Sequence, residues 1–241
     1  MVPTPHRIPE PVATFRSSYR AEEIGKHYSG WGHFAFTSIV SLGAVALSLS
    51  RLSNVGASEW LAVPCTFVFA NLAEYFGHKG AMHRPRAGLG LLYRRHTLQH
   101  HHFYTHDAMV YESAADLKMV LFPPVMLLFF LGAIATPIGG FLFVVASPNV
   151  AWLYVATATS YFLSYEWLHV AHHLDPDGAL GRLRLLRLLR QHHQAHHDLR
   201  LMGRYNFNVT FPIADFLFGT VASPQAFTER RRTPPAESRT S

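Results

Sequence analysis

Cysteine is almost absent from this chain: Cys65, in an apolar stretch, stands alone among 241 residues. A disulfide framework is excluded, and so is a sulfur-rich metal site, leaving nitrogen and oxygen to hold any metal. Charge is scarce too, at 15% of residues against about 25% in an average soluble domain. That shortage points to lipid. The first 33 residues carry Pro3, Pro5, Pro9 and Pro11, several charges and no apolar run, which does not match a cleaved signal peptide. The net charge is +6, yet no long basic domain or recognisable nucleic-acid motif accompanies it, so nucleic acid is not an expected partner.

What is present in quantity is apolar sequence. A membrane-spanning helix needs about 20 mostly apolar residues, and FAFTSIVSLGAVALSLS (34–50) and EWLAVPCTFVFANLAEYFG (59–77) meet that pattern with a short turn between them. A third region, 119–168, has no charge from Val120 until Glu166 and is long enough for two more spans. Its turn falls either at TPIGG (136–140) or at SPN (147–149). Two hairpins make four spans, which puts the N-terminus, residues 79–118 and everything after 169 on one side. Of the 21 lysines and arginines, Arg51 alone then lies on the opposite side, the bias that marks a cytoplasmic face. The expected fold is all-α and integral to the membrane, with four transmembrane helices in two hairpins and a cytoplasmic helical cap. The expected organisation is an N-terminal cytoplasmic segment (1–33), a membrane domain (34–222) and a disordered, polar, Pro-containing tail (223–241). Residues 179–190, ALGRLRLLRLLR, read as a helix riding the headgroups on its leucines and snorkelling arginines, or as a solvated helix of the cap.

Histidine is the other excess. There are seventeen, fourteen of them between His78 and His197, and they fall in four clusters near span ends or in the segments that follow. His78 and His83 form the first; His96, His100, His101, His102 and His106 the second; His169, His172 and His173 the third; His192, His193, His196 and His197 the fourth. On a helix, residues i and i+4 share a face, so His96 with His100, His169 with His173, and His193 with His197 can each direct two imidazoles at one ion, with His196 an i+3 neighbour of His193. His78 and His83 diverge by about 140° on an ideal helix, which predicts a helix end or π-bulge near Gly80. Ten paired imidazoles exceed the needs of one ion and suit two. Ligand type alone leaves iron, zinc, copper and nickel open.

Four such motifs flanking two membrane hairpins resemble the fatty acid hydroxylase and sterol desaturase superfamily, over residues of about 60 to 220. Its members show H-x4-H or H-x3-H, then H-x2-H-H, H-x3-H and H-x2-H-H. Here these correspond to His78 and His83; His96 with the following triplet; His169 and His173; and His193, His196 and His197. The second motif departs from the pattern, reading H-x-x-x-H-H-H, so His96, His100 and His101 are assigned as ligands with His102 as substitute. His102, His106, His172 and His192 are then expected beside the ligands or at the surface, with Glu74, Asp107, Glu166 and Asp198 as acceptors for ligand N–H groups. The closing stretch YNFNVTFPIADFLFGT also resembles the family, and implies that Asn206, Thr210 and Asp215 fold it back beneath the metals, Asp215 partnering a histidine.

The resemblance implies a non-haem di-iron oxygenase that takes O2 and two electrons and hydroxylates a lipid C–H bond, such as that of a fatty acyl chain. Zinc can replace iron during purification. Phe103, Tyr104, Tyr165 and Trp167 are expected to line the lipid's route or to anchor the interface. The family's fused hydroxylases carry a cytochrome b5 domain that the first 33 residues cannot hold, so a separate donor such as a ferredoxin or cytochrome is expected, and the arginine-rich face suits an acidic one. Desaturation of a sterol-like lipid or hydroxylation of a carotenoid ring would use the same centre. A metal transporter or haem electron carrier is the non-enzyme alternative; it would place polar groups near mid-membrane, whereas these histidines gather at one side. That side is expected to be cytoplasmic, at the inner membrane of a bacterium or the endoplasmic reticulum of a eukaryote.

Overall fold

The computed structural model describes residues 8–223, so the expected disordered tail lies, but for Ser223, outside the described residues. Eight helical elements organise the chain: α1 (Glu10–Glu23), α2 (Gly30–Ser50), α3 (Ala62–Gly77), α4 (90–103), α5 (Pro124–Val145), α6 (Pro148–His172), α7 (Arg184–His196) and α8 (Ile213–Leu217). Short helical turns at 59–61, 78–82 and 114–120 complete them, and no strand occurs among the described residues. α1 was not anticipated, because its proline-rich surroundings and charges mask a helix that packs on the end of α4.

α6 is the central post, with α2, α3 and α5 packed around it. Its buried residues, including Ala151, Tyr154, Thr159, Leu163, Glu166 and Val170, cover most of the helix, leaving one side open at Ser160 and Trp167. α2 and α5 are each long and apolar enough to cross a membrane, and only 22% and 11% of their apolar windows are buried. A soluble core helix would be mostly buried. Here the large apolar side chains face outward, Ile39 and Val144 among them, and an exposed apolar surface on this scale marks a lipid-facing or partner-facing protein.

The undecided turn falls at SPN. The Ser147 side chain accepts from the Val150 N–H, and Pro148 takes the first helical position, where its missing donor costs nothing. At TPIGG the chain stays helical instead. Pro137 cannot donate to the carbonyl one turn back, and the preceding residues Phe130–Ala135 widen into a π-turn that accommodates the lost bond. Gly139 then lets α5 approach α6, since a Cβ there would sit 2.9 Å from Val155 Cγ2.

The arginine-leucine helix begins later than expected, at Arg184, and runs straight into the last histidines. Leu185 and Leu188 are exposed with Arg184 and Arg187, but Leu189 and Arg190 turn inward, and Arg190 donates to the Leu174 carbonyl.

Candidate metal centre

Local winding decides where each imidazole goes. After α3 the chain widens into a π-turn at His78–Met82, the irregularity that i, i+5 spacing required, and His78 and His83 stack at 4.9 Å between ring centroids. A second π-turn occupies Arg94–His100 within α4. It changes the expected pairing: His96 joins His101, five residues on, while His100 turns to the other side. The α-helical pairs His169 with His173 and His193 with His197 stay together, as a regular 3.6-residue turn dictates.

The result is two groups of five. His78, His83, His96, His101 and His196 form one; His100, His169, His173, His193 and His197 form the other; within each, one ring nitrogen per residue lies within 4.8 Å of all the rest. Nine of the ten are buried. His102 points away, its Nδ1 3.2 Å from the Thr97 carbonyl and its ring near Phe15. His172 donates from Nε2 to the Val209 carbonyl at 2.9 Å, and its ring packs on His193. His106 and His192 also lie outside both groups.

The hydrogen-bond network assigns the tautomers. Five Nδ1–H groups donate to backbone carbonyls: His78 to Phe207, His100 to Met119 at 2.9 Å, His173 to Met109 at 2.7 Å, His196 to Tyr205 at 2.9 Å and His197 to Tyr104 at 2.5 Å. His83 Nδ1 donates to Thr97 Oγ1 at 3.1 Å, since that hydroxyl already spends its proton on the Met82 carbonyl. Each of these rings therefore presents a bare lone pair at Nε2. Yet His83 and His196 bring their Nε2 atoms to 2.9 Å, and His100 and His197 to 3.2 Å. No proton is left to bridge either pair, and two lone pairs facing each other in a low-dielectric interior repel. A cation between them converts repulsion into coordination, and metal–imidazole bonds of about 2.0–2.1 Å fit such separations. His173 Nε2, buried with no partner, adds another such lone pair.

Electrostatics favour the same state. Burial, reinforced by neighbouring imidazoles, lowers the pKa of His78 and of His100 to about 3 and holds His96, His101, His193, His196 and His197 well below the ordinary histidine range. These rings stay neutral in the fold, the form that binds metal, while the unfolded chain protonates them near 6.5. Proton uptake by the unfolded state alone means that metal-free protein loses stability as pH falls from about 6.5 toward 3, by up to about 1.4 kcal/mol per pH unit for each such histidine. Melting of chelator-treated protein at pH 7.5, 6 and 5 should give steadily lower midpoints; a flat profile across that window would contradict the neutral cluster.

Carboxylates take a different part from the one expected. Backbone carbonyls and Thr97 receive the Nδ1–H groups of six of the ten rings, Nδ1 of His101, His169 and His193 is buried without a partner, and the four acidic side chains turn elsewhere. Glu74 accepts from Val209 N, Thr210 N, Thr210 Oγ1 and Tyr161 Oη; Glu166 from Phe122 N; Asp198 from Arg200; Asp107 lies against His106. Asp215 does partner a histidine, His192, at 3.1 Å, and it accepts from Phe207 N, Asn208 N and Thr220 Oγ1 as well. It thus shapes the return loop without touching either group. Asn206 sits in the left-handed region at φ 58°, where Asn is among the residues best tolerated. Its side chain donates to the His192 carbonyl and accepts from Ala222 N, which sets the flanking carbonyls of Tyr205 and Phe207 against His196 and His78.

Two adjoining cavities approach the histidines. One runs between α3, α5 and α6 over Phe69, Ala73, Phe130, Tyr154 and Phe162 to His78. The other reaches His96, His100 and His169. Met82, Phe122 and Tyr165 line both. Of the aromatic residues singled out in the sequence, Tyr165 lines both cavities, whereas Phe103 and Tyr104 are wholly buried under α1 and Trp167 lies at the surface, donating to Ser38.

Apolar, outward-facing helices thus stand beside two buried five-imidazole groups, each able to hold a metal ion, with an apolar cavity leading to them. The fatty acid hydroxylase family matches residues 63–220, and the chain belongs to that family, within the fatty acid hydroxylase and sterol desaturase superfamily. The fold is similar to that of a solved structure described as full-length scs7p with only its hydroxylase domain visible, at a TM-score of 0.56 and 19% identity over 82% of this chain and 68% of that one. No curated protein sequence matches the chain.

Proposed function

We propose that this protein is a membrane-bound non-haem di-iron oxygenase that hydroxylates a C–H bond of a lipid, a fatty acyl chain or a related molecule. The balanced reaction takes the C–H bond, O2, two electrons and two protons to an alcohol and water, with the electrons delivered by a separate donor such as a ferredoxin or cytochrome. The observation that carries this reading is the pair of five-imidazole groups, in which six rings present a bare Nε2 and two pairs, His83 with His196 and His100 with His197, face each other with no proton between them. His78, His83, His96, His101 and His196 hold one ion, and His100, His169, His173, His193 and His197 the other. Bound iron supplies O2 activation and the oxidising power needed for an unactivated C–H bond.

The chain's own residues do the rest. The carbonyls of Phe207, Tyr205, Met119, Met109 and Tyr104 orient the ligands through Nδ1 and keep their Nε2 atoms free of protons. The apolar groove between α3, α5 and α6 admits the lipid tail from the bilayer, and Met82, Phe122 and Tyr165 exclude water where the groove meets the histidines. In this reading 34–222 is the membrane domain, α3 and α6 span with α2 and α5 to make four crossings, and 1–33, α4 and α7 lie on the cytoplasmic side with the metals. The exposed arginines of α7 offer a face for an acidic donor.

The test is lipid mass spectrometry of cells with and without the gene, supplied with a competent donor, using His193→Ala with His197→Ala as the inactive control. A lipid heavier by one oxygen, absent from the control, is the expected result. A product two hydrogens lighter would instead identify a desaturase, and metal analysis giving one ion per chain would sink the two-metal reading.

A further inference from the structure

Arg16 is a charged side chain with no exposure at all, on a helix N-terminal to the segment that matches the family. Its guanidinium donates from Nε to the Phe103 carbonyl at 2.8 Å, from Nη2 to the Ala108 carbonyl at 2.6 Å, and from Nη1 to the Val110 carbonyl and to Glu112, both at 3.2 Å. It also lies over the rings of Phe103 and Tyr104, 5.1 and 5.2 Å from their centroids. Burying a guanidinium is costly unless its donors are satisfied, and here three of its four bonds go to the backbone of one loop.

That loop, 103–111, carries no member of either histidine group, yet it grips two of them at both ends. Tyr104 O accepts from His197 Nδ1 and the His106 N–H donates to His197 O. Met109 O accepts from His173 Nδ1 and the Tyr111 N–H donates to His173 O. The carbonyls taken by Arg16 belong to residues 103, 108 and 110, immediate neighbours of the two that orient the rings. Arg20 braces the segment that follows this loop through Asp116 and Glu112, and Asp116 in turn accepts from the Glu112 and Ser113 N–H groups.

We infer that Arg16 is a positioning residue for one metal only: it clamps the 103–111 loop so that His173 and His197 present their Nε2 atoms to the group that also contains His100, His169 and His193. This rests on the two-metal reading above. The other group takes its orienting carbonyls from Tyr205 and Phe207, on a loop that Arg16 does not touch, so the two sites should respond differently to loss of the clamp. Lysine at this position keeps the charge but not the fork of fixed donors that reaches three carbonyls at once.

Chelator-stripped wild-type protein and Arg16→Lys, in anaerobic detergent solution, are titrated with cobalt(II), ions bound per chain are counted, and ligand-field absorption is followed. Wild type is expected to take up two ions. In Arg16→Lys one binding step stays within about twofold of wild type while the other weakens about 10- to 100-fold, the usual range for loss of a ligand's support. The weakened step should be the one that His173→Ala removes, and Arg20→Gln should weaken it by less. Equal weakening of both steps, or a titration matching wild type, overturns the assignment. So does an Arg16→Lys chain that fails to fold while His173→Ala folds, because the contact would then serve the whole fold. Wild type binding fewer than two ions would instead bring down the two-metal reading beneath it.

Discussion

His100→Ala and His101→Ala each lower lipid hydroxylation by at least about 100-fold, since loss of a ligand's hydrogen-bond partner alone costs 10- to 100-fold, while His102→Ala stays within a fewfold of wild type. The three neighbours look alike in sequence, but the π-turn at Arg94–His100 deals them to different places. His101 faces His96 and His83; His100 faces His169 and His197; His102 stays outside both groups against the Thr97 carbonyl. Metal analysis sharpens the comparison, with one ion lost in each of the first two variants and none in the third. An inactive, metal-depleted His102→Ala beside an active His101→Ala would reverse the assignment of the triplet.

Glu74→Ala destabilises the folded chain by about 3 kcal/mol, counting one or two of the hydrogen bonds of roughly 1.5–3 kcal/mol that a carboxyl group of this kind makes. Its two oxygens accept from Val209 N at 2.5 Å, Thr210 N at 3.0 Å, Thr210 Oγ1 at 2.6 Å and Tyr161 Oη at 2.5 Å, and truncation leaves the two backbone N–H groups without partners, while the two hydroxyls, 2.6 Å apart, keep each other. A loss of that size in a chain this long lowers the melting midpoint by about 6–12 °C. Glu74 ties α3 and α6 to the return loop that supplies the Phe207 carbonyl, so metal at the His78 group should weaken along with the fold. Glu74→Gln, which keeps one acceptor oxygen, should lose less. A melting midpoint unchanged in Glu74→Ala would show that the loop is held elsewhere.

Much of the site was legible because histidine spacing on a regular helix is geometry. His169 with His173, and His193 with His197, share a group since four residues make about one turn. The i, i+5 interval of His78 and His83 demanded a widened turn, and one is present at His78–Met82. The same rule misled at His96 and His100, whose α-like spacing concealed a second π-turn. Carboxylates were the natural acceptors to nominate for ring N–H groups, yet carbonyls of Tyr104, Met109, Met119, Tyr205 and Phe207 take that role. Every residue carries a carbonyl, so no side-chain pattern marks these five. Arg16 left one faint trace, an i, i+4 pair of arginines, Arg16 and Arg20, matching an i, i+4 pair of acids, Glu112 and Asp116, almost a hundred residues away.

By itself the sequence determined the chemistry available: nitrogen ligands without sulfur, enough imidazoles for two ions, apolar helices suited to lipid, and membership of a family through motifs whose spacing is local. Those properties depend on residue type and short intervals along the chain. Only the tertiary structure decided how ten imidazoles divide five and five, which carbonyls set the tautomers of five of them, and that an N-terminal helix braces one group. These depend on backbone groups and on contacts between residues up to about a hundred and thirty positions apart, such as His78 with Phe207, which local sequence does not encode.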